Sequence, residues 1–308
     1  MKLFINQPNE DWIVDRFKLE WEENHPNSVV SKIVNSDIVW IISPWTVNSK
    51  TIRKIKTKKV LTTIHHIDFD NFNKNDYQQF LKLDSVTDFY HVLNYKTEQK
   101  LQKLTNKKIF VKPFWVNNKN WFEMNNKADL RKKYKFKNSD FIIGSFQRDT
   151  EGHDLTSPKL IKGPDIFIEL VDKYFDKSNL IVLLTGKRRQ YIIRQLENKN
   201  INYRYFEMAS LEELNEFYNI LDLYIISSRL EGGPQQILEC ACIKTPIVST
   251  DVGIANSVLS QESIFKIENF KYAKPNVDLA FDNVQEFIIP NGFVFFQKMF
   301  DEILNNES

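Results

Sequence analysis

"SSRLEGGPQQILECACIKTPIVSTDVGIA", residues 227–255, reads as a strand exit, a glycine turn, a helix and the next strand. It continues the apolar run "DLYIIS" (222–227) and contains another, "PIVST" (246–250), with "QQILECACI" at helical spacing between them. A strand, a crossover helix and a strand make a parallel βαβ unit. Pro234 suits the start of that helix, where a missing N–H is no loss. Gly232 and Gly233 stand side by side between Glu231 and Glu239, in a chain with eight glycines and none before Gly144. Glycines there can adopt backbone angles closed to other residues and let a ligand approach the main chain. Free N–H groups and the helix dipole at the same point favour a phosphate. Glu239 lies one turn beyond Gln235 on a similar face, so carboxylates before and after the turn can hold opposite ends of one ligand. The same spacing also fits a plain glycine turn flanked by two solvated glutamates.

The βα pattern repeats outward from this stretch. "KLFIN" (2–6), "DIVWIIS" (37–43), "KVLTTI" (59–64), "DFYHVL" (88–93) and "KIFVKP" (108–113) form one series of apolar runs. "DFIIGSF" (140–146), "NLIVLLTG" (179–186), "INYRYF" (201–206), "DLYIIS" and "PIVST" form a second. Strands this apolar, separated by helical segments, belong to parallel sheets covered on both faces. Two series predict two doubly wound, Rossmann-like α/β domains. The expected boundaries are 1–115, 116–285 and a final helix over 286–308 that packs back toward the first domain. Ligands bind at the carboxyl ends of such strands, which predicts a site in a cleft between the two facing sheets. A first half without glycine holds neither a G-x-G-x-x-G fingerprint nor a P-loop, which disfavours a dinucleotide-dependent dehydrogenase. Phosphate handling falls to the second domain.

Composition narrows the class. Of 308 residues, 42% are hydrophobic and 27% charged, which is ordinary for a folded protein. A net charge of +2 gives no global pull toward nucleic acid. The only cysteines, Cys240 and Cys242, lie two residues apart in an apolar run and read as reduced core thiols of a cytoplasmic protein. No apolar run approaches the ~18 residues of a membrane span, and no export signal is visible at the start.

In its setting, the Glu, seven residues and second Glu resemble the signature of retaining GT-B glycosyltransferases of family 4. The serine-arginine pair, Glu-Gly turn, Leu-Glu helix, Pro-Ile-Val strand and Asp-Val-Gly turn follow in the family's order. "KIFVKPFWVNNKNWF", "IIGSFQRD", "LIKGPDIFIELV" and "LEELNEFYNILDLYIISSR" extend the likeness over about residues 108–259. The resemblance implies two sheets facing a central cleft, a nucleotide-diphosphate-sugar donor and transfer to an acceptor hydroxyl with retention. It implies no cofactor and no bound metal. Glu231 would contact the donor sugar and Glu239 the ribose, while Gly232, Gly233, Pro234 and Gln235 line the donor. Arg148 and Lys162 would neutralise the leaving diphosphate, whose growing charge fixed cations stabilise. Here fourteen positions separate them, and Lys159 in the intervening "DTEGHDLTSPKLI" is an alternative partner for Arg148. "TGKRRQY" (185–191) replaces the family's Gly-x-Gly turn. Arg188 or Arg189 then either reaches phosphate or belongs to a solvated cluster. A binding protein without transfer activity and a GT-B-shaped epimerase are the alternative readings.

In the first domain, "TTIHHIDFDN" (62–71) leaves a strand where the family often places a sugar-contacting histidine. Alternation allows only one of His65 and His66 to face a ligand, and His65 is the preferred candidate. Asp68 and Asp70 also match a metal-binding Asp-x-Asp, three letters that occur often by chance. "SPWTVNSKTIRKIKTKK" sets Trp45, Val47, Ile52 and Ile55 beside Lys50, Arg53, Lys54, Lys56, Lys58 and Lys59. As an amphipathic basic helix it would either pack on the sheet or rest peripherally on the inner face of a membrane, near a glycan or glycolipid acceptor.

Overall fold

The computed structural model describes residues 1–9, 13–152 and 155–306. The chain forms two compact units, Met1–Phe114 with Pro290–Ser308 (unit 1) and Trp115–Ile289 (unit 2). Unit 1 holds a parallel sheet of β1 (Leu3–Ile5), β2 (Ile38–Ile41), β3 (Lys59–Ile64), β4 (Phe89–Val92) and β5 (Ile109–Val111), lying side by side in chain order. Its helices are α1 (Ile13–Asn24), α2 (Ser49–Ile55), α3 (Lys74–Asp84) and α4 (Tyr95–Leu101). Unit 2 holds β6 (Phe141–Ser145), β7 (Leu180–Thr185), β8 (Asn202–Phe206), β9 (Leu223–Ile226), β10 (Ile247–Thr250) and β11 (Ile264–Phe265). Its helices are α5 (Lys127–Lys133), α6 (Pro164–Tyr174), α7 (Gln190–Asn198), α8 (Leu211–Ile220), α9 (Gln235–Ile243), α10 (Ala255–Val258) and α11 (Val277–Val284). The chain then returns to unit 1 with α12 (Asn291–Asn305).

Each of the ten apolar runs forms a strand, and all pairings are parallel. Two-residue alternation sorts their side chains between faces. On one face of the unit 1 sheet Val39, Ile41 and Val60 pack with Ile52 and Ile55 of α2. Trp40 points the other way, with Phe114, Phe296 and Phe300 at ring distances of 6.1, 5.8 and 5.3 Å. Phe17 of α1 stacks on Phe114 at 4.2 Å, so α1 and α12 cover this second face. Lys59 Nζ donates to the carbonyls of Ile303, Leu304 and Asn306, closing the carboxyl end of α12.

The basic amphipathic helix is shorter than its pattern. Asn48 caps α2 by accepting from the amides of Lys50 and Thr51, so the helix starts after Trp45 and Val47. Lys58 donates to the carbonyls of Val34 and Ser36, so it and Lys59 serve as struts. Among the described residues no helix is long and apolar enough to cross a membrane.

In unit 2 the order is β11-β10-β9-β6-β7-β8. Its core joins Ile143, Val182, Leu184, Ile225 and Val248 of the sheet to Phe167, Leu170 and Val171 of α6. Between β6 and β9 the strand order reverses, and the connections leave in opposite directions. Such a switch point opens a crevice at the carboxyl ends of the two strands. Arg148 follows β6 there, and the stretch from Ser227 to Gly233 follows β9.

Candidate active site at the switch point

The exit from β9 is fixed before it reaches Glu231. The amides of Arg229 and Leu230 donate to Ile161 O at 2.8 and 3.1 Å. The Arg229 guanidinium grips both oxygens of Asp165 at 2.8 and 2.6 Å. Thr250 Oγ1 donates to Ser228 O at 2.6 Å, and Ser227 Oγ donates to Gly163 O at 2.8 Å. Gly163 enters α6 with φ +62°, and a Cβ on it would lie 1.8 Å from Ser227 O. Only glycine admits that approach.

This framework brings Glu231 to Lys162. The lysine Nζ lies 2.6 and 2.7 Å from the two carboxylate oxygens, and Ser228 Oγ donates to one of them at 2.9 Å. These are short, charge-assisted contacts between partly buried groups. Gln147 Nε2 donates to Lys162 O at 3.0 Å, tying the lysine to the exit of β6.

The long interval between Arg148 and Lys162 folds back on itself. Thr150 bridges Pro158, Glu151 N donates to Ser157 O, and Lys159 N donates to Asp149 O at 2.8 Å. Lys159 therefore returns beside Arg148 instead of being looped away. Its pKa is lowered by burial first, then by the charges of Arg148 and Lys162, against the pull of Glu231 and Glu151. The Lys159 ammonium makes no hydrogen bond or ion pair among the described residues. Arg148 is exposed, with its Nε donating to Thr150 O at 3.0 Å. Lys159 thus stands within the fields of two other cations, Arg148 and Lys162, and of two carboxylates, Glu231 and Glu151, with Glu231 bonded to Lys162. Lys159 lies close enough to both Arg148 and Lys162 for their charges to lower its pKa.

Glu239 is buried on α9 and accepts from Tyr218 Oη at 2.8 Å. Burial, and then the Glu239 charge, raise the Tyr218 pKa far above its usual value, so the hydroxyl stays a donor. The same two causes raise the pKa of Cys240, and that of Cys242 to about 12, so both remain protonated core thiols. Tyr218 was invisible to motif reading because nothing near it in sequence names its partner. Pro234 caps α9. The side-chain amide of Gln235 donates to Trp115 O at 2.6 Å, a structural tie instead of a free ligand contact.

The paired glycines act differently from expectation. The described glycines of positive φ are Gly152, Gly163, Gly186 and Gly253, and neither Gly232 nor Gly233 is among them. The steric demand falls on Gly253 of the Asp-Val-Gly turn. A Cβ there would come 2.6 Å from Pro234 Cδ and 2.8 Å from Gly232 O. One turn packs directly on the other.

"TGKRRQY" also departs from both expectations. Arg189 is fully buried and bonds Asp149 Oδ2 at 2.8 Å, so it is neither solvated nor presented to a ligand. Arg188 has φ +65° and donates to Gly152 O.

In unit 1, His65 is half-buried at the end of β3, with Nε2 donating to Ile42 O at 2.8 Å and its ring 5.6 Å from Trp45. His66 is exposed and lines a pocket of about 310 Å³ with Ile67, Asp68, Phe72 and Phe80. The two rings diverge as alternation requires. Asp68 accepts from Asn71, and Asp70 is exposed. Among the described residues no three His, Cys, Asp or Glu side chains gather as a metal site. His91, which sequence reading passed over, is buried and has its pKa lowered to about 4, chiefly by burial. Its Nε2 donates to Lys112 O at 2.8 Å and its Nδ1 meets Thr63 Oγ1 at 3.1 Å. Trp40 Nε1 donates to the same hydroxyl at 2.9 Å.

Residues 157–288 match the family model described as glycosyl transferases group 1. WclY, an O-antigen biosynthesis glycosyltransferase of Escherichia coli, is 25% identical over 162 residues, 49% of this chain and 42% of the relative. The match therefore spans less than half the length of that relative. Among solved structures, HepE of Anabaena in complex with UDP-glucose superposes with a TM-score of 0.74 at 11% identity, covering 98% of each chain. Sucrose-phosphate synthase of Thermosynechococcus elongatus gives 0.67 at 13% identity, over 93% of this chain and 76% of that one. The two-sheet α/β fold is that of GT-B structures.

Proposed function

We propose that this chain is a glycosyltransferase that moves a sugar from a nucleoside-diphosphate donor to an acceptor hydroxyl, with retention at the anomeric carbon and without a bound metal. The observation that carries the reading is the cluster at the switch point of unit 2, where Lys162 holds Glu231 and Lys159 lies within the fields of Arg148 and Lys162. Leaving-group departure puts negative charge on a diphosphate, and preformed cations stabilise that charge without reorganising. Lys162 is held by Glu231 before any ligand arrives. When phosphate oxygens compete for the ammonium, the Glu231 carboxylate is released toward the hydroxyls of the bound sugar. Glu239, aimed by Tyr218, holds the ribose. With no side-chain nucleophile assigned, retention follows from front-face transfer, in which the leaving phosphate takes the acceptor proton. In unit 1, whose role is to bind a glycan or glycolipid acceptor, His65 is the residue that contacts a sugar. UDP is the first nucleotide to test, since structures of similar fold were captured with it.

The test is release of nucleoside diphosphate from UDP-, GDP- and ADP-sugars, with and without EDTA, followed by NMR of the anomeric proton in the product. One donor should be consumed in EDTA, giving product of unchanged anomeric configuration. Inversion would remove the front-face mechanism. Interconversion of donor sugars without any acceptor would replace transfer by epimerisation.

A further inference from the structure

We propose that Arg189 and Asp149 are positioning residues whose buried ion pair sets Arg148 and Lys159 at the spacing a diphosphate requires. The proposal rests on the donor reading above and deepens it. Arg189 is 0% exposed and precedes α7. Its Nε donates to Asp149 Oδ2 at 2.8 Å, its Nη1 to Ser145 O and Thr185 O at 2.5 and 3.0 Å, and its Nη2 to Ser145 Oγ at 3.0 Å. One guanidinium thus joins the ends of β6 and β7 to the residue following Arg148. The planar fork suits this task because its donors are fixed relative to one another.

Asp149 is the knot of the returning loop. Its amide donates to Arg188 O at 3.2 Å, and its carbonyl accepts from Lys159 N at 2.8 Å. The residue held by Arg189 is therefore joined to both cations, to Arg148 through the chain and to Lys159 through its backbone carbonyl. Removing the carboxylate from its anchor releases both cations together. A buried ion pair gives back little net stability after desolvation, so its contribution here is geometric. Burial indeed raises the Asp149 pKa while the Arg189 charge opposes it.

The test uses the full chain with Arg189→Met and Asp149→Leu combined, because a single apolar substitution strands the other charge in the interior. A second variant, Asp149→Asn, keeps an acceptor for Arg189 and removes the charge with minimal change in shape. Dissociation constants are measured for UDP, GDP and ADP and for the parent nucleosides, together with thermal midpoints and hydrogen exchange at the Lys159 amide. Positioning predicts at least tenfold weaker binding of the preferred diphosphate, nucleoside binding within twofold and faster Lys159 exchange in the variant that stays folded. Unchanged diphosphate affinity in the folded double variant overturns the proposal, as does an Asp149→Asn variant that loses diphosphate affinity while its Lys159 amide exchanges at the unaltered rate. So does an equal loss for diphosphate and nucleoside, which marks general damage. If the unaltered protein binds none of the three diphosphates, the donor reading itself fails, and this proposal falls with it.

Discussion

The two units are built from the same material, parallel strands with helices on both faces, yet they present different edges. In unit 1 the strands lie in chain order, and Asn6 and His65 at their carboxyl ends bond mainly backbone. Asn6 alone bonds the amides of Ile42 and Ser43, the carbonyl of Ser43 and the hydroxyl of Thr46. His65 bonds Ile42 O. In unit 2 the order reverses between β6 and β9, and the side chains leaving those two strands converge on one another as charges. Strand order, more than composition, decides which sheet gathers chemistry at its edge.

Four measurements break or sharpen this contrast. The largest expected effect belongs to the charged edge of unit 2. Lys162→Ala removes a fixed cation from the leaving group and should lower kcat by about 10²–10³ while the fold persists. Donor turnover at saturating donor checks this, and a change confined to KM would move Lys162 out of the transition state.

The next effect belongs to unit 1 and concerns stability. His91 has a folded pKa of about 4 against an ordinary 6.5, so the unfolded chain binds the extra proton between those values. The stabilisation is complete above about pH 6.5 and is lost progressively as pH falls toward 4, on the order of 3 kcal/mol in total. Denaturant titrations between pH 4 and 7 should show this slope, and His91→Gln should flatten it.

A smaller effect follows from Tyr218→Phe, which takes the donor from Glu239. Hydrogen bonds to charged groups support about 1.5 kcal/mol, so nucleotide affinity should drop roughly tenfold. Calorimetric titration of the diphosphate decides it. The smallest effect is expected from Asp68→Asn with Asp70→Asn, whose activity should stay within about twofold because neither carboxylate holds a cation in this reading. A large loss restored by added divalent metal would make the exit from β3 a metal site.

The sequence made the strands legible because each is an apolar run of β-formers bounded by turn residues. Only β11 escaped, being two residues at a sheet edge, too short for any periodicity. Glu231 and Lys162 were each marked by motif order, one for the sugar and one for the diphosphate, and the structure adds that they bond each other. Contacts between distant segments were not legible. Gly163 against Ser227, and Gly253 against Gly232, are steric demands that no local pattern displays. Arg189 looked like part of a solvated charge run because Asp149, forty residues earlier, is what permits its burial. Tyr218 and His91 escaped for the same reason. The α2 helix was read too long because apolar spacing continued past the Asn48 cap.

The central claim is that the cations at the switch point bind a diphosphate, and titration of UDP, GDP and ADP in EDTA tests it most directly. The comparison is between the unaltered protein and an Arg148→Ala, Lys159→Ala, Lys162→Ala variant. The account predicts that one diphosphate binds the unaltered protein and that the variant, at an unchanged thermal midpoint, loses at least about a hundredfold in affinity. Equal affinity in the two proteins would contradict it.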